Sequence, residues 1–203
     1  MKEIQVVFGI DMETDIGSWT PFYLSIPGGT GWPGTYQLGT SSSDSASGVA
    51  TDSSGNVYVT GYTEGGLDGT SAGNTDLFAV KYNSSGTKQW TKQLGTSSND
   101  LAYGVATDSS GNVYVTGGTD GGLDGNSGAG NADILWVKYN SSGTKQWTKQ
   151  LGTSSNDYAY GVATDSSGNV YVTGRTEGGM DGNTSAGRND LFVVKYNSDG
   201  VKQ

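Results

Sequence analysis

The chain has 203 residues, 35 of them glycine, and it contains no cysteine and no histidine; 11 Lys and Arg stand against 20 Asp and Glu, for a net charge of −9. The missing cysteine excludes disulfides, thiol nucleophiles and cysteine–zinc sites, and the missing histidine excludes a Ser-His-Asp triad and imidazole metal ligands. The acidic balance repels phosphate backbones, so nucleic acid is not an expected partner.

The chain also lacks the signals of membrane insertion. No stretch approaches the roughly 18 consecutive apolar residues of a transmembrane helix. The apolar run near the start ends at Asp11, too soon for an ordinary signal peptide. The sequence therefore predicts no membrane span and has no recognisable signal peptide.

One unit occurs three times in tandem. Gln-Leu-Gly-Thr-Ser-Ser begins at Gln37, Gln93 and Gln150, so the period is 56 or 57 residues, and residues 93–146 and 150–203 are identical at 41 of 54 positions. We predict three repeats, 37–92, 93–149 and 150–203, the last with a truncated outer strand. The non-repeat segment 1–36 contains two strand candidates, Glu3–Ile10 and Ser18–Ile26. The first of these is predicted to be donated to a neighbouring blade or chain.

Each repeat contains four short segments of strand character. In the first repeat these are Gly48–Thr51, Asn56–Thr60, Asp76–Tyr82 and Lys88–Gln93. Lysine discourages edge-to-edge pairing, so the lysine-rich fourth strand is placed at the periphery and the small-residue first strand nearest the axis. Asp and Gly in the intervening turn suit a tight hairpin. The predicted structural turn residues are Asp52, Gly55, Asp108, Gly111, Asp165 and Gly168.

This pattern predicts an all-β protein built from β-propeller blades of four antiparallel strands, with almost no helix. A β-solenoid is the alternative. Propellers close with at least about four blades, so three blades would leave an exposed face and an unpaired strand edge. We therefore predict that copies of the chain associate into a closed ring or an open filament.

Two recurring runs carry a family resemblance. Gly-Val-Ala-Thr-Asp-Ser-Ser-Gly-Asn-Val-Tyr-Val-Thr-Gly begins at Gly161, and Asp-Leu-Phe-Val-Val-Lys-Tyr-Asn-Ser-Asp-Gly begins at Asp190. Residues 37–203 resemble the bacterial SBBP β-propeller repeat family. The resemblance implies a scaffold or binding role in secreted or surface proteins of bacteria, and no catalytic residues. The first 20 or so residues resemble the start of polysaccharide deacetylases, but the metal-binding histidines of that family cannot be present.

The glycine-rich loops contain the candidate metal ligands. Paired carboxylates with glycines and backbone carbonyls between them suit Ca²⁺, whereas a turn cap is the structural alternative. No cofactor other than calcium is expected. The candidate calcium ligands are Asp68, Asp76, Asp124, Asp133, Asp181 and Asp190.

Aromatic and acidic residues also recur at the repeat spacing. Stacked aromatic rings can bind sugars, but rings at matching positions of successive blades favour packing between blades. The predicted packing residues are Tyr58, Tyr114, Tyr171, Trp90, Trp147, Phe78 and Phe192. Asp44, Asp100 and Asp157 are interpreted as structural, because a hydrolytic carboxylate pair needs two different environments and copied blades supply identical ones.

Together these features predict a non-enzymatic, self-assembling β-propeller-repeat protein with a structural role, outside the cell or on the surface of a bacterium. The alternative is a binding module in which a closed homo-oligomeric ring presents the glycine-rich loops to a glycan or a protein. The form of the assembly discriminates between them.

Overall fold

The computed structural model describes residue 32 and residues 34–203. These belong to the second of two units, Gly31–Gln203. The strand candidates Glu3–Ile10 and Ser18–Ile26 and the deacetylase-like segment lie outside the described residues, so these predictions are untested.

Three antiparallel sheets make up the described part of the chain, and in each the strands are hydrogen-bonded in chain order. The first sheet contains β1 (Asp44–Thr51), β2 (Val57–Thr63), β3 (Asp76–Tyr82) and β4 (Lys88–Leu94); the second contains β5 (Asp100–Thr107), β6 (Val113–Thr119), β7 (Asp133–Tyr139) and β8 (Lys145–Leu151). The third contains β9 (Asp157–Thr164), β10 (Val170–Thr176) and β11 (Asp190–Tyr196), and a single bridge joins Lys202 to Tyr196. Among the described residues, helix is limited to one 3-10 turn at Met180–Gly182. The prediction of all-β, propeller-type blades is confirmed.

The sheets stack face to face with their first strands adjacent. Strand β5 lies against β1, β2 and β3 of the first sheet, and β9 lies against β5, β6 and β7 of the second. The lysine-rich strands β4 and β8 lie at the opposite edges of their sheets. The first strand of each blade is therefore innermost, as its small residues predicted.

Glycine allows the inner strands to approach one another closely. A Cβ atom added to Gly48 would lie 3.0 Å from the carbonyl oxygen of Tyr103 and 3.5 Å from the Cα of Gly104. One added to Gly104 would meet the Tyr160 oxygen at 3.0 Å and the Gly161 Cα at 3.4 Å. Backbone thus packs directly on backbone at both junctions between sheets.

Threonine hydroxyls link the same inner strands. Thr107 donates its Oγ1 hydrogen to the carbonyl oxygen of Thr51 at 3.1 Å, and Thr164 donates to that of Thr107 at 2.8 Å. The same residue of the second and third repeats thus makes the same bond to the preceding sheet. The two junctions are therefore built alike.

Apolar side chains fill the space between the sheets. The first junction buries Tyr58, Leu77, Ala79, Ala102, Val113, Val115, Leu123, Leu135, Val137 and Tyr139. The second buries Tyr114, Ile134, Trp136, Ala159, Val170, Val172, Met180, Phe192 and Tyr196. The second sheet thus contacts the first sheet with one face and the third sheet with the other.

Two strands extend three or four residues beyond their predicted bounds. Strand β1 begins at Asp44 and not at Gly48, and the prediction missed this because a bulge between Ala46 and Gly48 shifts the register and hides the alternation of side chains. Strand β2 continues through Gly61 to Thr63, although glycine usually weakens a strand. A Cβ at Gly61 would lie 1.9 Å from the carbonyl oxygen of Ser45, so the paired backbone requires glycine there.

Candidate functional site

The first hairpin turn of each repeat is organised by an aspartate. Oδ1 of Asp52 accepts the backbone N–H groups of Ser54 and Asn56 at 2.9 and 3.0 Å. Its Oδ2 accepts Asn56 Nδ2 at 2.7 Å and the Tyr58 hydroxyl at 2.9 Å, while Gly55 has a φ of 74°. Asp108 and Asp165 have the same partners in their own repeats.

These bonds favour the ionised carboxylate. Burial raises the pKa of Asp52, but the hydrogen bonds from Asn56, Tyr58 and Ser54 outweigh it and leave the pKa below its usual value. The bonds from Asn169 are the largest influence at Asp165, and they lower its pKa to about 2. A carboxylate with four donors and a depressed pKa holds the turn and is poorly suited to proton transfer.

A second recurring aspartate begins the inner strand. Asp100 is buried, and its Oδ2 accepts the backbone N–H and the hydroxyl of Thr96 at 2.6 and 2.9 Å. Burial raises the pKa of Asp100, and the nearby charge of Asp76 raises it further. The Asp100 N–H donates to the Thr75 carbonyl oxygen at 2.8 Å, which ties the second sheet to the first. The residue thus has structural contacts on both its backbone and its side chain.

In the glycine-rich loops, the aspartate that begins the third strand is fastened by a glutamine. Oδ2 of Asp133 accepts the Ala129 N–H at 2.7 Å and Gln150 Nε2 at 2.8 Å. The same amide donates to the Gly121 carbonyl oxygen at 3.0 Å. In the first sheet Gln93 binds Asp76 at 2.7 Å in the same way. We name this contact the Gln–Asp lock.

The other aspartate of each loop has different contacts. Asp124 and Asp181 adopt positive φ angles of 53° and 55°, and they form ion pairs with Lys145 and Lys202. Asp68 is exposed. No group of three or more acidic residues with metal-binding geometry occurs within residues 34–203. In the second and third loops the two carboxylates thus have separate partners. Calcium binding by Asp68, Asp76, Asp124, Asp133, Asp181 and Asp190 stays a prediction.

The repeated aromatic residues lie at the junctions between sheets. Tyr58 and Tyr114 are 1% and 0% exposed, whereas Tyr171, on the third sheet, is half-buried. The Trp90 ring lies 6.1 Å from Tyr58 of its own sheet and 6.3 Å from Tyr139 of the next sheet.

The remaining predicted packing residues follow the same plan. Trp147 lies 6.0 Å from Tyr114 and borders the second junction, in which Phe192 is buried. Phe78 belongs to a separate cluster with Val80 and Tyr82 on the opposite face of the first sheet.

The outer parts of the first and second sheets are each hydrogen-bonded to a hairpin turn of the next sheet. Lys81 Nζ donates to the carbonyl oxygen of Ser141 at 3.1 Å, and Lys138 Nζ donates to that of Ser198 at 2.8 Å. A Cβ added to Gly143 in the same turn would lie 3.0 Å from the Trp90 ring. The first and second sheets therefore each carry a lysine donor and a tryptophan ring toward the next sheet.

A cluster of tyrosines near the axis was missed by the sequence reasoning. Tyr103 and Tyr160 occupy the bulges of β5 and β9, and their rings lie 5.4 Å apart. Tyr158 stacks on Tyr160 at 6.5 Å, and the Arg175 guanidinium lies 5.1 Å from the Tyr158 ring. Tyr160 is 48% exposed. The sequence did carry a signal for it, since a single residue between the Ala and the Gly of each inner strand interrupts the alternation of side chains.

The comparison with known families agrees with this architecture. The SBBP profile, described as a beta-propeller repeat, matches residues 35–68, 89–124 and 146–179. The chain belongs to the SBBP family of β-propeller repeats. Each of the last two matches begins within the fourth strand of one sheet and continues through the first two strands of the next. One SBBP repeat therefore covers parts of two successive sheets.

Two relatives are similar over part of their length. The regulatory protein FlaEY of Caulobacter vibrioides is 29% identical over 195 residues, which cover 87% of this chain and 20% of that protein. An uncharacterized WD repeat-containing protein of Acanthamoeba polyphaga mimivirus is 31% identical over 156 residues, 63% of this chain and 11% of that protein. The chain thus spans a fifth or less of these relatives. Among the residues that the structure describes, no helix is long and apolar enough to cross a membrane.

Proposed function

We propose that this SBBP repeat chain is a non-catalytic scaffold element that assembles with copies of itself. The supporting observation is the exposed apolar face of the third sheet. Leu191 and Val193 are 86% and 69% exposed, whereas their counterparts Ile134 and Trp136 in the second sheet are 0% and 1% exposed. Positions that are buried in the other two sheets are therefore open to solvent in the third.

This face has a physical tendency to be covered. Full burial of a Leu or Val side chain contributes about 1.5–3 kcal/mol relative to its exposure. An apolar blade face that no other blade covers is a source of association in repeat proteins, in which polar capping repeats normally close the stack. Self-association would cover the apolar face of the third sheet with a blade of another copy, whose surface repeats those already packed within the chain.

The assembly state tests this proposal. We expect light scattering of the purified chain to give a mass that is a multiple of the single-chain mass, and negative-stain micrographs to show rings or filaments. A chain that remains monomeric at every concentration would overturn the self-assembly. Cell fractionation of the source organism tests the proposed extracellular or surface location, which rests on the family resemblance alone.

A second candidate function is ligand binding by a closed ring. The tyrosine cluster of Tyr103, Tyr158 and Tyr160 with Arg175 favours it. The ring of Tyr160 is exposed and those of Tyr103 and Tyr158 are half-buried, and aromatic rings beside a guanidinium can stack on sugars and donate hydrogen bonds to them. A screen of polysaccharides against the wild-type chain and Tyr160→Ala tests this function. Binding that the substitution abolishes supports it, whereas a ligand whose binding is unchanged argues against this site.

A further inference from the structure

The Gln–Asp lock is incomplete in the third sheet. Asp190 corresponds to Asp76 and Asp133, and its Oδ2 accepts the Ala186 N–H at 2.8 Å and the Ser185 hydroxyl at 3.0 Å. No glutamine among the described residues reaches it. The half-buried carboxylate of Asp190 thus retains the local turn contacts of its counterparts and lacks their contact with a fourth strand.

A matching half of the lock precedes the first sheet. Tyr36-Gln37-Leu38-Gly39 aligns with Lys92-Gln93-Leu94-Gly95, at the end of β4. The first SBBP match begins at residue 35, one residue before this motif. Gln37 is exposed, whereas Gln93 and Gln150 are half-buried and bonded to aspartate. Leu38 is 37% exposed, although Leu94 packs against the first junction.

This segment already lies where the fourth strand of a preceding sheet would lie. The ring of Tyr36 covers Gly86, and a Cβ added there would be 2.6 Å from Tyr36 Cε2. The aligned residue Lys92 covers Gly143 of the second sheet in the same manner, with its Cε 3.1 Å from an added Cβ. Trp32 lies 5.8 Å from Tyr82, much as Trp90 lies 6.3 Å from Tyr139.

We propose that Tyr36–Leu38 of a second copy of this chain completes the third sheet as its fourth strand, with Gln37 closing the lock on Asp190. The proposal rests on the self-association proposed above and specifies its surface. It is a β-strand addition in which main-chain pairing gives affinity and the glutamine fixes the register. The contact is head-to-tail, so it leads to a ring if the rotation closes and to a filament if it does not.

The two junctions within the chain supply the remaining contacts of the interface. Lys81 and Lys138 each donate to a carbonyl oxygen in the next sheet, so Lys195 is expected to donate to the Ser84 carbonyl oxygen of the second copy. Thr51 of the second copy is likewise expected to donate to the carbonyl oxygen of Thr164. Leu191 and Val193 then face the first sheet of the second copy, as Leu77 and Ala79 face the second sheet within one chain.

Association constants of single variants test the surface. We expect Leu191→Asp to weaken association by about a hundredfold or more, because it buries an unpaired charge. Gln37→Ala is expected to weaken association by about tenfold or more without changing the melting temperature of the dissociated chain. Gln93→Ala is the matched control: it breaks a lock inside the chain and is expected to lower that melting temperature. Ser142→Asp is the control for Leu191→Asp, because it adds the same charge in an exposed turn where the third repeat has Asp199. It is expected to change neither the association constant nor the melting temperature of the dissociated chain.

Cross-linking tests the register directly. Leu77 pairs with Leu94 and Ile134 with Leu151, so Leu191 is expected to pair with Leu38 of the second copy. The chain has no cysteine, so a Leu38→Cys chain and a Leu191→Cys chain carry one thiol each. We expect a disulfide-linked pair from their mixture under mild oxidation and little from either chain alone. A mixture of Leu38→Cys with Ser142→Cys is the control and is expected to give none.

The outcomes separate this proposal from the proposed function. If the wild-type chain associates but Leu191→Asp and Gln37→Ala associate equally well and no Leu38–Leu191 cross-link forms, the interface is overturned and self-assembly stands. If Leu191→Asp alone dissociates the copies, the apolar face is supported and the Gln37 lock is overturned. Phe78 and Val80 lie on the face of the first sheet that Leu191 of another copy would contact, and they are buried in the single chain. Association at this surface therefore requires that face to be uncovered first. A wild-type chain that stays monomeric would show that the face stays covered, and would overturn both proposals.

Discussion

Substitution of Gly104 by alanine tests whether the blades meet backbone to backbone at the inner strands. The added Cβ would lie 3.0 Å from the Tyr160 carbonyl oxygen, 3.2 Å from Thr116 Cγ2 and 3.4 Å from the Gly161 Cα. Two of these three atoms belong to the backbone of the third sheet, which cannot rotate away as a side chain can. The second and third sheets must therefore separate slightly or the strand must bend.

The cost follows from overpacking in a well-packed interior, which typically lies at about 1–3 kcal/mol. Replacing glycine by alanine also restricts the unfolded chain, and this stabilises the folded state by about 0.4–1 kcal/mol. We expect a net loss of about 1–2 kcal/mol in the free energy of unfolding. For a chain of this size the melting temperature then falls by roughly 2–8 °C.

Gly161→Ala is the matched control, because Gly161 is the same residue of the last sheet. Its added Cβ meets Thr173 Cγ2 at 3.1 Å, and no backbone atom of another sheet lies within 4 Å of it among the described residues. The dissociated Gly161→Ala chain should be as stable as the wild type or slightly more stable. Urea unfolding followed by tryptophan fluorescence at low protein concentration measures both variants. Equal losses in the two variants would refute the close approach of the inner strands.

Three further predictions concern the face, the turns and the loops. Ile134→Ala should cost about 2–5 kcal/mol in unfolding free energy, and Leu191→Ala within about 0.5 kcal/mol in the dissociated chain, because Ile134 is buried and Leu191 is exposed. Asp165 has a folded-state pKa of about 2, below the unfolded value of about 3.9, so its stabilisation is present above pH 4 and is lost as the pH falls toward 2. Acid unfolding of Asp165→Asn should therefore depend less on pH across that range. If Asp68 and Asp76 hold calcium, the melting temperature must rise with calcium and fall with a chelator; equal values in both would refute the calcium hypothesis.

The sequence predicted a strand well where an apolar run is bounded by turn residues. Strand β3 has the predicted bounds Asp76–Tyr82, because apolar residues occupy both of its faces and turns flank it. The inner strand β1 was predicted four residues too short. In the equivalent strands β5 and β9 the bulge places Tyr103 and Tyr160 outside the two-residue alternation, so a prediction based on alternation cannot include them.

The loop contacts show a different limit of sequence reasoning. Spacing suggested that the two aspartates of each loop act together, but Asp124 pairs with Lys145 and Asp133 with Gln150. Both partners lie on β8, and their identity depends on the pairing of that strand with β7. A contact that is set by strand register, and not by nearness along the chain, was not accessible from the loop sequence alone.

The offset between repeat and sheet accounts for the half-locks at both ends of the described residues. An SBBP match carries the fourth strand of one sheet together with the first two strands of the next. Any stretch that begins with such a repeat and ends inside the next sheet therefore presents a spare fourth strand, with Gln37, and a sheet that lacks one, with Asp190. The two ends complement one another because they are copies of the same contact. Adding repeats would enlarge the stack and leave this complementarity unchanged. The proposed end-to-end association therefore depends on where the repeat begins relative to the sheet, and not on the number of repeats.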